Sequence, residues 1–464
     1  MSKRGMTTTM AAVAAIVTLI VGVVIGIYAS PALIPPAGVV TEEEYNALKS
    51  DFDTVKADLD VAKADLEEAL KEIEDLKKVG LTGEVQLGFL GAMTGDLATF
   101  GENEAVAAEF AAMQVNDFLE ASGAEWTLKI VIEDTQTKPD IALEKTESFA
   151  ARGIKLLIGP LSSGEVRAIK GYCDANKILA VSQSSTAPDL AIPDDYIIRF
   201  CPTDAAPGGQ GVAMSRVMYD DGKTYVIPVT RNDAWGVGLE EAGKQRFTEI
   251  GGTFLEGIRY APEAAEFSAE VADLASKVES AVVTYGADNV AVWHISFEEV
   301  TAFFTAASEY DVLSTVKWFG SDGTFGSGSM LEDPTVRTFA MAVEYPCTMF
   351  APTQSPKWEM VREHGMEVLG REPESYSYAV YDIVWSYAYA LLTVDEYDAE
   401  AIKEILPTVT KSLFGASGWV ELDEAGDRKQ GDYDVWQIEE VSTGVYDWVP
   451  VGIWITLTDS VTWV

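Results

Sequence analysis

An α/β fold of two doubly wound, Rossmann-like lobes is predicted, and three observations predict it. Beyond Gly80, short runs rich in Val, Ile, Leu and aromatics alternate with amphipathic segments, the alternation that builds βα units and parallel sheets. About ten such runs follow one another, more than one ordinary sheet holds. The composition is that of a packed globular chain, with 48% hydrophobic and 23% charged residues. Two lobes place a ligand between them, at the carboxyl ends of the strands.

Ahead of the lobes the chain reads differently. Lys3 and Arg4 precede an apolar run over residues 10–28, close to the ~20 residues a helix needs to cross hydrocarbon. The expectation for residues 1–40 is a retained membrane anchor, basic end inside and the bulk outside; the alternative is a long cleaved signal. Lys3-Arg4-Gly5-Met6 resembles the processing site of archaeal class III signal peptides. Residues 41–79 form the next segment. From Thr41 to Lys78 there is no Gly or Pro, and Tyr45, Leu48, Phe52, Val55, Leu59, Ala62, Leu66, Ala69, Ile73 and Leu76 step by alternating threes and fours. That is a coiled-coil seam, so a stalk and a homo-oligomer are expected, dimer or trimer being open. A lone amphipathic helix is the alternative.

In the globular part, strands are expected at 85–90, 128–133, 155–158, 179–182, 196–200, 224–229, 253–260, 290–295, 316–319 and 338–343, with helices at 104–120, 141–152, 237–250, 357–369 and 376–394. Residues 449–464, with Trp454 and Trp463 but broken by Pro450 and Gly452, are expected as a C-terminal extension holding an extra strand pair.

Several function classes fall away on composition. Seventy-four acidic residues against 33 basic ones give a formal charge of -41, which excludes nucleic acid as a partner. Two histidines leave little for His-ligated metal or triad chemistry, and Cys173, Cys201 and Cys347 lie too far apart for a zinc module. One disulfide among them is open. The loop Gly159-Pro160-Leu161-Ser162-Ser163-Gly164-Glu165 mimics a phosphate loop until Glu165 stands where Lys belongs, so phosphate is rejected. Ser162 and Glu165 instead make a capping box, and the capped helix start offers N–H groups to an anion. Asp322-Gly323, after an expected strand, is an ordinary turn pair on its own terms. His294 reads as a packing or rim residue and His364 as an exposed one.

Val85-Gln-Leu-Gly-Phe-Leu-Gly-Ala-Met-Thr-Gly95, Glu133-Asp134-Thr135-Gln136, Leu157-Ile158-Gly159-Pro160, Arg199-Phe200-Cys201-Pro202-Thr203-Asp204 and Ala234-Trp235-Gly236 occur in an order and spacing that resemble the branched-chain amino-acid-binding (LIV-type) periplasmic proteins. The resemblance implies a type I periplasmic-binding fold, with lobe 1 at 84–204 and about 345–418, and lobe 2 at 205–344 and about 419–448. It implies an amino acid as ligand, an ABC permease as partner, no cofactor, no catalysis, and an extracellular or periplasmic location. Alternatives are a short amide or urea-like solute, and a sensory or structural receptor on the same scaffold. By resemblance, Ser163 holds the ligand carboxylate, Ser184 and Thr186 serve carboxylate and ammonium, and Asp322 accepts the α-ammonium. Phe100, Trp235 and Phe297 wall the ligand's apolar end.

Overall fold

The computed structural model describes residues 41–77 and 80–464. The expected anchor over residues 1–40 lies outside the described residues, and among these no helix is long and apolar enough to cross a membrane. Helix α1 (Glu42–Lys77) runs unbroken for 36 residues, as a Gly- and Pro-free stretch should. Its seam residues Val55 and Leu59 are 42% and 40% exposed. Residues 81–464 form a separate compact unit.

Lobe 1 begins with β1 (Gly83–Gly91), α2 (Ala98–Ser122), β2 (Trp126–Asp134), α3 (Pro139–Ala151), β3 (Leu156–Ile158), α4 (Ser163–Asn176), β4 (Leu179–Ser182) and β5 (Ile197–Arg199). Its sheet is ordered β2-β1-β3-β4-β5 and wholly parallel. Buried Leu87 and Phe89 alternate along β1 toward α2, the period-2 pattern of a pleated strand. Gly101 lets α2 lie on the loop after β1, since a Cβ there would stand 2.1 Å from the Ala92 carbonyl oxygen.

Lobe 2 contains α5 (Gln210–Asp220), β6 (Tyr225–Arg231), α6 (Ala234–Glu249), β7 (Thr253–Phe254), β8 (Ile258–Tyr260), α7 (Ser268–Tyr285), β9 (Val290–Ile295), α8 (Val300–Ala307), β10 (Lys317–Phe319), α9 (Gly328–Glu332) and α10 (Pro334–Ala342). Its parallel sheet runs β10-β9-β6-β7, with β8 also on β6. The expected strand at 253–260 is two, β7 and β8, separated where Gly257 crowds the Pro228 carbonyl. The expected strand at 338–343 is corrected to helix α10 and its C-cap. Asp333 caps the helix, Pro334 opens it, and Val336, Phe339, Ala340 and Val343 bury one helical face.

The next strand is instead β11 (Cys347–Ala351), from which the chain returns to lobe 1 as α11 (Pro356–Leu369), α12 (Ser375–Val394) and α13 (Ala399–Lys411). It then crosses again into β12 (Asp432–Ser442), β13 (Val445–Ile455) and β14 (Ser460–Trp463), which form an antiparallel sheet β11-β12-β13-β14. The expected boundary at 448/449 therefore falls inside β13. Ile438 and Trp448 seat this sheet on the lobe 2 core. Passages at 200–209, 343–355 and 412–431 join the halves. In the last, Asp427 meets Arg199 of β5, both side chains being buried. The three cysteines are free and buried, so none forms a disulfide.

Beneath the first lobe's strand ends lie three buried carboxyls: Glu104 on α2, Glu165 on α4 and Glu374 before α12. Gln183 donates to Glu104, while Asn103 and Ser377 donate to Glu374. Burial raises the Glu104 carboxyl well above its ordinary range, with Glu374 adding to it, and burial pushes Glu374 up to about 7. A raised folded-state carboxyl favours the fold while protonated. Its contribution is full below the unfolded value of about 4.3 and is lost as pH rises toward 7. Thermal midpoints should therefore fall between pH 4.5 and 8, and Glu374→Gln should flatten that fall, with a midpoint a few degrees above wild type at pH 8. Parallel pH profiles for the two proteins would contradict this.

Candidate functional site

The carboxyl ends of both parallel sheets face a narrow cleft, about 310 Å³ of space when its open mouth is counted. Phe100, Ser163, Ser184, Trp235, Phe297 and Asp322 all line it. The structure thus gathers six of the seven expected residues, from segments far apart in sequence.

On the lobe 1 side, Ser162 accepts from the Glu165 N–H while Glu165 bonds back to the Ser162 N–H, closing the capping box at the start of α4. Ser163 is the first residue of that helix, where unsatisfied N–H groups and the positive dipole end favour an anion. Its Oγ accepts from the Ser185 hydroxyl at 3.1 Å and the Ala187 N–H at 3.2 Å, which ties the 183–187 loop to the helix start. Ser184 donates its hydroxyl to the Leu161 carbonyl at 2.9 Å. Arg199 completes the brace by donating to the Ser185 and Ala187 carbonyls.

Thr186 stands apart from the other six. It is fully buried and is not on the cleft wall, and its carbonyl accepts the Asp204 N–H at 2.9 Å. Nor does it cap the 3₁₀ turn at Pro188, which Ala187 precedes without a side-chain bond.

On the lobe 2 side, Asp322 opens a 3₁₀ turn just beyond β10 and is 5% exposed. Tyr376, the second residue of α12, donates its hydroxyl to Asp322 Oδ2 at 2.7 Å, and Oδ1 has no partner. Burial raises the Asp322 carboxyl, while the Tyr376 bond pulls it back down. Gly323 is required here: a Cβ would lie 2.6 Å from the Phe297 ring and 2.9 Å from Trp235. Trp235 and Phe297 stack with centroids 4.5 Å apart. The Arg231 guanidinium covers Phe297 and pairs with Asp233, Glu299 and, across the cleft, Asp96. This ion pair and the Tyr376–Asp322 bond both join one lobe to the other.

The arrangement offers a helix start for an anion, an acid with a spare oxygen for a cation, and an aromatic wall between them. Among the described residues no group of three His, Cys, Asp or Glu could hold a metal. His294 lies away from the cleft, buried against Phe303 and Phe304, and burial lowers it to about 3, so it is neutral. His364 is half-buried rather than exposed, stacked 4.0 Å from Phe110. Sequence reasoning missed Leu97, Leu161 and Tyr376 on the cleft wall. Tyr376 sits in an almost wholly buried, aromatic-rich helix, where pattern alone assigns every Tyr to the core.

A family model described as the receptor family ligand binding region matches residues 103–440. An uncharacterised protein of Methanocaldococcus jannaschii is 32% identical over 82% of this chain and 91% of its own. A Leu/Ile/Val-binding protein homolog of Brucella melitensis is 27% identical over 77% of this chain and 91% of its own. Among solved structures, the leucine binding protein LivK of Thermotoga maritima superposes with a TM-score of 0.64 at 21% identity, covering 80% of this chain and 98% of that one. LivJ of Streptococcus pneumoniae, in complex with isoleucine, gives 0.62 at 18% identity over 80% of this chain and all of its own. The order of the motifs, the two parallel lobes and these matches converge: the chain belongs to the receptor family ligand binding region and has the type I periplasmic-binding fold, similar to Leu/Ile/Val-binding proteins.

Proposed function

We propose that this protein is an extracytoplasmic solute receptor of an ABC importer that captures an amino acid, branched-chain or similar, between its lobes. The observation that carries the reading is the pairing of opposite polarity across one small cleft. The start of α4 with Ser163 suits a carboxylate, and Asp322, with one buried unpartnered oxygen, suits an ammonium. Ser184 braces the carboxylate side, while Phe100, Trp235 and Phe297 receive the side chain. The ligand first meets lobe 1, and hinge closure brings Trp235 and Asp322 over it. The permease then reads the closed form, without covalent chemistry. Residues 1–40 would tether the protein to the membrane and α1 would serve as the stalk. The exposed Val55 and Leu59 stripe would pair with a second copy.

Titration calorimetry with leucine, isoleucine, valine and other amino acids tests the central claim. Micromolar or tighter binding of at least one is expected. A folded protein that binds none of them would remove the amino-acid reading.

A further inference from the structure

We propose that Tyr376 is the positioning residue for the acid that receives the ligand's ammonium, and that its hydroxyl lets the site tell an amino acid from its uncharged analogue. This rests on the amino-acid reading above. Tyr376 belongs to lobe 1 through α12, which packs along α2, whereas Asp322 belongs to lobe 2. Their 2.7 Å bond is buried, with Tyr376 only 2% exposed, so water does not compete for it.

A carboxylate has two equivalent oxygens and can rotate between them. The tyrosine engages Oδ2, which leaves Oδ1 as the freer acceptor for a ligand, buried and without a hydrogen-bond partner. The hydroxyl donates to the ionised form of Asp322, so it also keeps the charge that an ammonium needs. Besides the tyrosine, only the Gln210 side chain and the main-chain N–H groups of Asp322 and Gly323 favour that charge, and burial opposes it. Asp204 comes from the 200–209 passage, Tyr433 from β12, Cys347 from β11 and Cys201 from the end of lobe 1. All are buried, and all are acids or neutral groups that feel the Asp322 charge unfavourably. The cation beside Asp204, Arg199, is committed to Asp427. Because the bond spans the cleft, the ammonium acceptor is set only when the lobes are closed. Selectivity for a charged amine is therefore coupled to closure.

The test is a cycle of Tyr376→Phe, Asp322→Asn and the double variant, titrated calorimetrically with leucine and with its 2-hydroxy analogue from pH 5 to 8. Tyr376→Phe should weaken leucine about tenfold, the worth of one hydrogen bond to a charged group. The hydroxy acid should change little, and the pH below which leucine affinity fades should move upward. In the Asp322→Asn background, the tyrosine substitution should cost nothing further. The proposal is overturned if Tyr376→Phe binds leucine with wild-type affinity and pH profile. It is also overturned if both ligands lose affinity equally, or if the loss persists in the Asp322→Asn background, since a merely structural ring would behave in these ways. Wild type that binds no amino acid at all would instead sink the underlying reading, so the two failures are distinguishable. Thermal unfolding of each ligand-free variant confirms that a folded protein is being titrated.

Discussion

Replacing Arg199 with methionine should cost about 3–5 kcal/mol of stability, because it leaves Asp427 as a buried charge with no counter-charge. The guanidinium meets that carboxylate through Nε at 2.5 Å and Nη2 at 2.6 Å, and both side chains are almost wholly out of water. The same residue donates Nη1 to the Ser185 and Ala187 carbonyls at 3.0 and 2.8 Å, so the loss reaches the loop that lines the cleft. Urea unfolding at pH 7 reads the first effect, and ligand titration on the surviving folded protein reads the second. An Arg199→Met, Asp427→Leu pair should be less damaging than Arg199→Met alone, since an apolar pair strands no charge. A single variant that loses under about 1 kcal/mol would show that Asp427 is protonated or hydrated in the fold.

Asp322→Asn should move affinity and stability in opposite directions. Amino-acid binding should weaken by about ten- to a hundredfold, the worth of a charge-assisted hydrogen bond. The ligand-free protein should melt no lower than wild type. The amide that replaces the carboxyl would keep an acceptor for Tyr376, and the change would remove a carboxylate whose ionised form burial disfavours. Such opposition is the mark of a residue retained for binding at the expense of the empty fold. Calorimetry and a thermal melt on one preparation read both. A melt that drops by many degrees would instead make Asp322 a structural residue.

Most of the fold is legible because its strands are short apolar runs bounded by turns. The strands at 179–182 and 290–295 coincide with β4 and β9 residue for residue. The misread segment at 338–343 shows the limit of composition: Thr338, Phe339 and Val343 favour a strand singly, but the cap at Asp333 and the spacing from Val336 decide for a helix. At the cleft, the family resemblance picks out Ser163 at its capping box and Asp322 in its Asp-Gly turn, and both line the cleft, whereas the local signal of each reads as a cap and a turn alone. Thr186 looks alike in sequence, yet it is fully buried, its carbonyl bonded to the Asp204 N–H, and a bond between residues that distant leaves no local trace. Tyr376 reaches Asp322 across 54 residues and two lobes, and no window along the chain contains both.

Three passages of chain between the halves have a practical corollary. A protease that nicks the chain once within 200–209, at the exposed residues 353–354 after β11, or within 412–431 leaves two intact covalent bridges. The cut molecule should still run as one particle on a sizing column and come apart only when denatured. Three tethers also hinder one half from twisting on the other, so a swing that bends all three together is the freer relative motion.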